Sequence, residues 1–400
     1  MRRASPVLSA LAAAGALALP AAAQRAAAPV TLTLSRPDAE YAEPFTAVAG
    51  VRELRDGRVI VADRTEKTIQ LLDLATGEAR RIGIEGGGPN EYRVPTAIFA
   101  MPGDSTLVFD LGNTRFLVLA PDGTPVRTFS TLDPTSGDLR LLIPRAGDGA
   151  GNLYFLDRGL GRRDGGPVEA PDSGTVLRYD LKTKALAPVG RVALPPMNVS
   201  ASGGASERRV MVRMSTPFAA QDDWTVGLDG RLALVRHEPY RVEWLAPNGQ
   251  RVVGPTIPYR KLAVTDEDKA EYRERQRSAT AVGMAVRVGG APGQRGGGGG
   301  GVTVAPSAIR PQEPTDWPEF KPPFVANAST VGPDGRLWVL RSRPAGDDVP
   351  TYDLFDGYGK PAGTVKLPPD TRLVGFGRNS AYVVRTDEND LQYLQRYKLF

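Results

Sequence analysis

Few side chains in this 400-residue chain could perform acid–base or metal chemistry. His237 is the only histidine, and cysteine is absent. This composition excludes a zinc site built on several histidines or thiolates, an acid–base pair of histidines and a cysteine nucleophile. His237 lies beside Glu238 in the segment RHEPY (236–240). A lone histidine in a loop more often has a structural role than a catalytic one.

Carboxylates are the remaining candidates for holding a metal ion. Calcium prefers several carboxylate and carbonyl oxygens, and the acidic residues placed to supply them are Glu91, Asp110, Asp157 and Asp223. No short spacing joins these four into a calcium loop, and the chain has neither a G-x-S-x-G elbow nor a phosphate-binding loop. The alternative interpretation is a metal-dependent hydrolase or lactonase with its site at the mouth of the central channel. Calcium is its cofactor candidate, and no other cofactor is predicted.

Arginine offers a different chemistry, because its planar fork binds carboxylates, phosphates and acidic glycans. The candidate ligand-binding residues are expected on one face of the fold, the one that holds the long connecting segments. They comprise Arg93, Arg158, Arg162, Arg163, Arg208, Arg209, Arg213, Arg260, Arg341 and Arg343, together with Trp317. Scattered surface charge is the competing interpretation for the arginines. For Trp317 the competing interpretation is packing of its large ring.

Six copies of one unit determine how these residues are positioned. Each copy begins with a turn and a short apolar strand: DGRVIVAD (56–63), GDSTLVFD (103–110), GNLYFLD (151–157), DGRLALVR (229–236), DGRLWVLR (334–341) and NSAYVVR (379–385). An alternating strand follows each copy, often with a second DG, NG or TG turn that joins paired antiparallel strands. The first three copies end 47 residues apart, a period typical of one propeller blade. The sequence therefore predicts an all-β fold, a six-bladed β-propeller of four-stranded antiparallel blades.

The last unit supplies only three strands, so the ring needs one strand from elsewhere. Near the beginning of the chain, VTLTLS (30–35) alternates apolar and polar residues and has no partner in the first blade. We expect this N-terminal strand to pair as the outer strand of the last blade, because that pairing closes the ring and covers an exposed edge.

The second unit resembles the NHL repeat over residues 86–129. The matching residues are Gly87, Gly88, Pro89, Glu91, Tyr92, Pro95, Ile98, Asp110, Asn113, Arg115, Asp122, Gly123 and Phe129. The resemblance implies a six-bladed, NHL-like or TolB-like ring over nearly all of the mature chain. Such rings serve binders, lyases and lactonases alike, so it implies little about chemistry. The lyases of this group rely on histidines, which this chain lacks apart from His237.

The N-terminus predicts export. Residues 1–23 show a basic start, an apolar stretch and a small-residue cleavage site near Ala23, as a signal peptide does. We expect a mature, periplasmic or secreted domain over 24–400, without a lipid anchor or transmembrane segment. The formal charge of +5 is only a weak positive excess. Proteins that bind nucleic acid usually show a clustered basic stripe, so no nucleic-acid partner is expected. A ring of this size is expected to be a monomer.

Long segments interrupt the units on one face only. In a four-stranded antiparallel blade, the loop between the second and third strands lies at the same end as the crossover to the next blade. The long segments fall in these two kinds of connection and are 158–174, 195–217, 259–323 and 342–350. The segment 259–323, between blades four and five, is predicted to contain a helix over 265–287, a Gly-rich linker over 289–301 and a Pro-rich return. The helix is either a lid or a solvated surface element.

Together these features favour an exported ligand- or protein-binding scaffold of the cell envelope over an enzyme. The face that carries the long loops is the expected binding surface, because loops carry function on a rigid scaffold. The expected partner is a protein or an anionic small molecule or glycan.

Overall fold

A computed structural model describes residues 29–130, 143–159, 171–202, 210–280, 284–288, 302–306, 314 and 316–399. The predicted signal peptide and the Gly-rich segment 289–301 lie outside these residues. Within the described part, no helix is long and apolar enough to cross a membrane.

Six sheets form the blades of the ring, which confirms the predicted six-bladed β-propeller. The first strands of successive blades contact one another and surround the axis, and the later strands follow outwards. Blades one to three comprise Val48–Glu53, Val59–Asp63, Thr68–Asp73 and Glu78–Arg81; Pro95–Ala100, Thr106–Asp110, Arg115–Leu119 and Pro125–Ser130; and Pro144–Gly147, Asn152–Asp157, Ser173–Asp180 and Leu186–Ala193. Blades four to six comprise Asp223–Val226, Leu232–His237, Tyr240–Leu245 and Arg251–Val253; Thr330–Val331, Leu337–Leu340, Thr351–Phe355 and Pro361–Lys366; and Thr371–Phe376, Ser380–Thr386 and Gln392–Lys398.

The N-terminal segment closes the ring, but with a different strand from the one expected. Ala39–Glu40 pairs with Gln392–Lys398 as the outer strand of blade six. The prediction that VTLTLS forms this strand is wrong, because Val30–Thr33 pairs parallel to Pro361–Lys366 as a fifth strand of blade five. In that position Leu34 buries its side chain between blades five and six, which accounts for the apolar alternation of the segment.

The second strand of each blade forms the core of the ring. Residues 59–62 are fully buried, as are Leu107 and Val108 in the next blade. A strand lying between two neighbouring blades is covered on both faces, so it is apolar at consecutive rather than alternate positions. This explains why the second strands were the clearest repeats in the sequence.

Buried carboxylates fix the points where the chain enters blades one and two. Asp63 accepts the main-chain N–H groups of Thr46 and Ala47, just before the first strand of blade one. Asp110 accepts those of Arg93 and Val94, just before blade two. Both carboxylates are inaccessible to solvent. Because a buried charge needs hydrogen-bond donors, these aspartates hold each crossover against the end of a second strand.

The residues that match the NHL repeat have such structural roles. Asn113 donates to the carbonyl of Gly86, at 2.8 Å, and to the carboxylate of Asp110, at 2.7 Å. Arg115 donates to the carbonyls of Gly88 and Glu91, both at 2.7 Å. Together they hold the crossover between blades one and two in place.

The described parts of the long segments lie on one face, here called the long-loop face and made of residues 158–159, 171–172, 194–202, 210–222, 254–280, 284–288, 302–306, 314, 316–329 and 341–350. The insertion between blades four and five contains helix α1 (Asp266–Thr280), a short pair of Leu262–Ala263 with Phe320–Lys321, and a hairpin of Met284–Val288 with Val302–Pro306. The crossover between blades three and four contains a second hairpin, Met197–Ser202 with Val210–Ser215. The remaining elements are short. Two parallel strands pair, Ile84–Glu85 with Glu91–Tyr92, and there are two 3-10 turns, Pro102–Asp104 and Leu111–Asn113.

Helix α1 is shorter than predicted. We expected a helix over 265–287, whereas α1 ends at Thr280 and residues 284–288 form a strand. The reason lies in β-branched valines at alternate positions, Val286 and Val288, which pair with Val304 and Val302.

The N-terminal closure can be tested at Leu34, which is 4% exposed. Leu34→Ala leaves a cavity between blades five and six, so we expect the free energy of unfolding to fall by about 2–5 kcal/mol. Urea denaturation measures this change. The matched control is Leu228→Ala, at a side chain that is 68% exposed, and it should change stability by less than about 0.5 kcal/mol. Equal effects of the two substitutions would contradict the burial of Leu34.

Candidate functional site

A groove on the long-loop face follows the seam between blades four and five. Its outer part is a cavity of about 380 Å³ that brings together three of the predicted arginines, Arg260, Arg341 and Arg343. We call it the outer pocket. Tyr240, Tyr259, Asp347 and Asp353 also line it, together with Pro258, Pro322, Pro323, Pro344 and Pro361. The volume is in the range of small-molecule sites.

Tyr240 lines the outer pocket, but its hydroxyl is inaccessible to solvent. The residue begins the third strand of blade four and is 4% exposed, and its ring packs on Phe324 and Phe355. Its hydroxyl has no hydrogen-bond partner within the described part of the chain. Burial, with a smaller contribution from the negative charge of Asp353, raises the pKa of Tyr240 well above its usual value. The group is therefore a protonated phenol.

The three arginines of the outer pocket differ in their surroundings. Arg341 forms a two-pronged ion pair with Asp353, and this hydrogen bonding raises the pKa of Arg341. Arg343 is half-buried, and its Nη1 has no hydrogen-bond partner among the described residues. Arg260 is exposed at the rim. With Asp347 and Asp353 counted against the three arginines, the pocket carries a formal charge of +1 (3 − 2).

Towards the axis, a second cavity of about 280 Å³ lies under helix α1, and we call it the inner pocket. Phe218, Tyr272, Phe324 and Val325 form its apolar walls. Trp317, one of the predicted ligand-binding residues, does not line it; its ring packs instead on Tyr272 and Phe218, with centroids 5.5 and 6.0 Å apart.

A buried ion pair attaches α1 to the propeller. Lys321 and Asp268 are 7% and 2% exposed, and the Lys321 ammonium also donates to the main-chain carbonyl of Arg343. Burial alone would raise the pKa of Asp268, but hydrogen bonds from Lys321 and the Thr265 amide hold it below its usual value. Because Asp268 also accepts from Thr265 at the beginning of α1, one carboxylate both caps the helix and anchors it.

The backbone of Phe218 adopts a left-handed conformation, with φ +53°. For a residue with a Cβ this conformation costs about 1–2 kcal/mol. The ring offsets part of the cost by contacts with Tyr272, Trp317 and the Lys321 ammonium, which lies 5.1 Å from the ring centroid. The backbone is therefore strained at Phe218, whose ring lines the inner pocket.

The other predicted arginines lie elsewhere or outside the described residues. Arg93 is exposed beside blade two. Arg158 is half-buried at the end of the second strand of blade three, where burial and the nearby Arg145 lower its pKa. Those outside the described residues are Arg162, Arg163, Arg208 and Arg209, and the side chain of Arg213 is likewise not described.

The four candidate metal ligands have separate surroundings. Besides the bonds of Asp110 given above, Glu91 accepts the Gly88 amide and Asp157 the Gly159 amide. Asp223 is fully buried between Arg145 and the Ser329 amide. In the described ranges, no three or more histidine, aspartate or glutamate side chains come together in a way that could hold a metal ion.

His237 is oriented by a partner that the sequence did not reveal. Its Nδ1 lies 2.8 Å from Oδ1 of Asp222, whose other oxygen accepts from Arg236 at 2.7 Å and from the Ala193 amide at 2.9 Å. Burial alone would raise the pKa of Asp222, but the hydrogen bonds from His237, Ala193 and Arg236 lower it to about 2. The cluster links blade four to the last strand of blade three, which is a structural role.

The residues that complete the groove were not identified from the sequence. Tyr240 is the last residue of the segment RHEPY (236–240), but its burial depends on side chains of blade five, which is distant in the sequence. Asp353, Phe218 and Tyr272 have no local motif. The predicted helix over 265–287 was the only usable signal, and it indicated the element rather than the pocket.

Comparisons with known proteins add no functional assignment. No protein-family model and no curated protein matches the chain. Among solved structures, the chain is similar to a member of the DUF4221 family from Bacteroides vulgatus, with 10% identity, a TM-score of 0.44 and coverage of 92% of this chain and 95% of that one. It is also similar to a catalytically inactive virginiamycin B lyase from Staphylococcus aureus with quinupristin (11%, 0.41, 90% and 98%) and to a PQQ-bound aldose sugar dehydrogenase from Streptomyces coelicolor (12%, 0.41, 90% and 97%). At these values the similarities carry no argument about function, and the resemblance to six-bladed propellers rests on the chain's own sheets.

The Asp222 cluster predicts a pH-dependent stability. A carboxylate whose folded pKa is depressed stabilises the fold above its unfolded pKa, near 4, and loses this contribution as the pH falls through the folded pKa of about 2. Asp222→Asn should therefore lower the free energy of unfolding by about 2 kcal/mol at pH 7. Urea titrations from pH 7 to pH 2 should show the difference from the parent shrinking below pH 4. The exposed Asp172→Asn is the control, and a difference independent of pH would contradict the role of the charge.

The Lys321–Asp268 pair predicts local release of α1. Lys321→Met keeps the volume but leaves Asp268 buried without its counter-charge, a change that costs about 3–5 kcal/mol. We expect hydrogen-exchange protection of residues 266–280 to fall by ~100-fold or more while the blades stay protected. Lys269→Met, which removes the partly exposed partner of Asp266, is the matched control and should change little. Unchanged protection in Lys321→Met would show that other contacts hold the helix.

Proposed function

We propose that this protein is an exported β-propeller of the cell envelope that binds a small anionic ligand in the outer pocket. One observation carries the proposal: three arginines line a single cavity, which carries a formal charge of +1. The argument for export is the N-terminal segment 1–23, with its basic start and small-residue cleavage site.

The charges support an anion rather than a cation. Arg341 is already paired with Asp353 and presents a fixed, oriented guanidinium. Arg260 and Arg343 have no carboxylate within salt-bridge distance in the described part of the chain, so their charge is not neutralised by the protein itself. A carboxylate or phosphate group complements this arrangement.

Thermal unfolding of residues 24–400 with acetate, inorganic phosphate and uronic acids tests the proposal. A ligand at ~100 times its dissociation constant adds ~2.7 kcal/mol to the stability of the folded state. We expect at least one anion to raise the unfolding midpoint, and Arg260→Gln to weaken its affinity about 5- to 30-fold, the effect of losing a charged hydrogen bond. The control is Arg55→Gln, an exposed arginine on the opposite face.

Three outcomes would contradict the proposal. A calcium-dependent shift that EDTA abolishes, with no anion effect, would favour the metal-dependent hydrolase. Equal weakening by Arg260→Gln and Arg55→Gln would show only general charge screening. Absence of any shift would leave a protein partner as the better hypothesis.

A further inference from the structure

The first strands of the six blades begin around one end of the central axis, on the long-loop face. We call this opening the channel mouth. It is ringed by the first residues of these strands, Val48, Pro95, Pro144, Asp223, Thr330 and Thr371. None of these residues lines the outer pocket. The channel mouth is therefore a separate place in the fold.

On one side of the mouth, two arginines meet between blades six and one. Arg372, in the first strand of blade six, donates through Nη2 to the carbonyl of Val48, at 3.0 Å. The amide of Arg64, just after the second strand of blade one, donates to the neighbouring carbonyl of Ala47, at 3.1 Å. Both arginines are exposed. In the described part of the chain, neither has a carboxylate within salt-bridge distance.

A second pair of arginines lies on the opposite side of the ring, in blade three. Arg145, in the first strand, pairs with Asp223 of blade four and lies over the Trp224 ring, 4.9 Å from its centroid. Arg158 follows the second strand and is half-buried. Among the described residues it has no carboxylate within salt-bridge distance.

The arginines of each pair are close enough to repel each other. Burial, followed by the charge of Arg64, lowers the pKa of Arg372. Burial and the charge of Arg145 lower the pKa of Arg158 in the same way. Strands around the mouth thus remove part of the hydration of these cations without supplying a counter-charge.

The strand-end carboxylates beside the arginines are buried, so they do not face the mouth. Asp63 and Asp223 are inaccessible to solvent. Asp63 accepts four main-chain N–H groups with its two oxygens. Asp223 accepts from Arg145 and from the amides of Trp224 and Ser329. Negative charge is therefore held inside the ring, while Arg64 and Arg372 reach the water.

We propose that the channel mouth is a second anion site, in which Arg64 and Arg372 bind a phosphate group and Arg145 and Arg158 add positive potential from the other side. Guanidinium forks bind phosphate oxygens through paired hydrogen bonds. A phosphate ester carries a charge of about −1.5 to −2 at pH 7, which matches two adjacent arginines better than a single carboxylate does. Free phosphate and phosphate esters share this chemistry.

Titration calorimetry with inorganic phosphate, glucose 1-phosphate and acetate tests the proposal. We expect both phosphates to bind more tightly than acetate. Arg64→Gln should weaken phosphate at least ~10-fold (about 1.4 kcal/mol), the effect of losing a charged hydrogen bond. Its side chain has no hydrogen bond to the described residues, so the fold should be unaffected. Arg158→Gln should weaken phosphate less, because it acts only through its charge.

A second variant separates the fork from the charge. Arg372→Lys keeps the charge but loses the planar fork, so we expect an affinity for phosphate below that of the parent. Arg260→Gln, on the same face but in the outer pocket, is the matched control and should leave phosphate binding at the mouth unchanged. If both sites bind phosphate, the parent binds two ions, and Arg64→Gln and Arg260→Gln each weaken a different one.

The outcomes distinguish the two sites. Phosphate binding that Arg260→Gln abolishes and Arg64→Gln leaves intact would place the ion in the outer pocket and overturn the proposal. Absence of phosphate binding, or equal weakening by Arg64→Gln and by Arg55→Gln on the opposite face, would also overturn it. Where Arg64→Gln weakens both phosphates, tighter binding of glucose 1-phosphate identifies an ester as the ligand, and tighter binding of inorganic phosphate identifies the free ion.

Discussion

The architecture depends on buried carboxylates that hold the chain where it enters a blade. Asp63 and Asp110 each sit at the end of a second strand and accept main-chain N–H groups that precede the first strand of the same blade. Asp223 performs a related task across blades, because it accepts the Ser329 amide just before blade five. The bonds of Asp63 and Asp110 span 16 or 17 residues, whereas the bond from Asp223 to Ser329 spans 106. Together they fix the positions of the first strands, and the outer strands and loops follow from these.

The groove exists because the bond from Asp223 to Ser329 fixes where the chain enters blade five, independently of the insertion between blades four and five. The bond from Asp223 to Ser329 brings the beginnings of blades four and five together, although the whole insertion separates them in sequence. Lengthening a loop between fixed ends adds little entropic cost. The insertion could therefore acquire α1, its two strand pairs and the Lys321–Asp268 anchor without disturbing the ring. The two pockets form where this added layer rests on the seam between the blades.

The sequence predicted the ring well because the second strands must be apolar at consecutive positions, whatever the loops do. It also placed Arg260, Arg341 and Arg343 on the same face, since strand order alone decides at which end a loop lies. It could not place Tyr240, Phe218 or Asp222, because their surroundings come from blades distant in the chain. The closing strand was misassigned for a related reason: VTLTLS suits any apolar seam, and only the parallel register with Pro361–Lys366 decides which one it fills. The helix was extended too far because alternating valines can be recognised as a strand only once their partners are known.

The closing segment ties the first part of the domain to be synthesised to the last. Residues 30–40 contact blade five through Val30–Thr33 and blade six through Ala39–Glu40. On a chain that emerges from its N-terminus, this segment has no partner until the final two blades have appeared. Blades one to four can assemble in order, while the ring stays open at a single seam. The edge of Gln392–Lys398 is covered by Ala39–Glu40, so the ring can close only once blades five and six have formed.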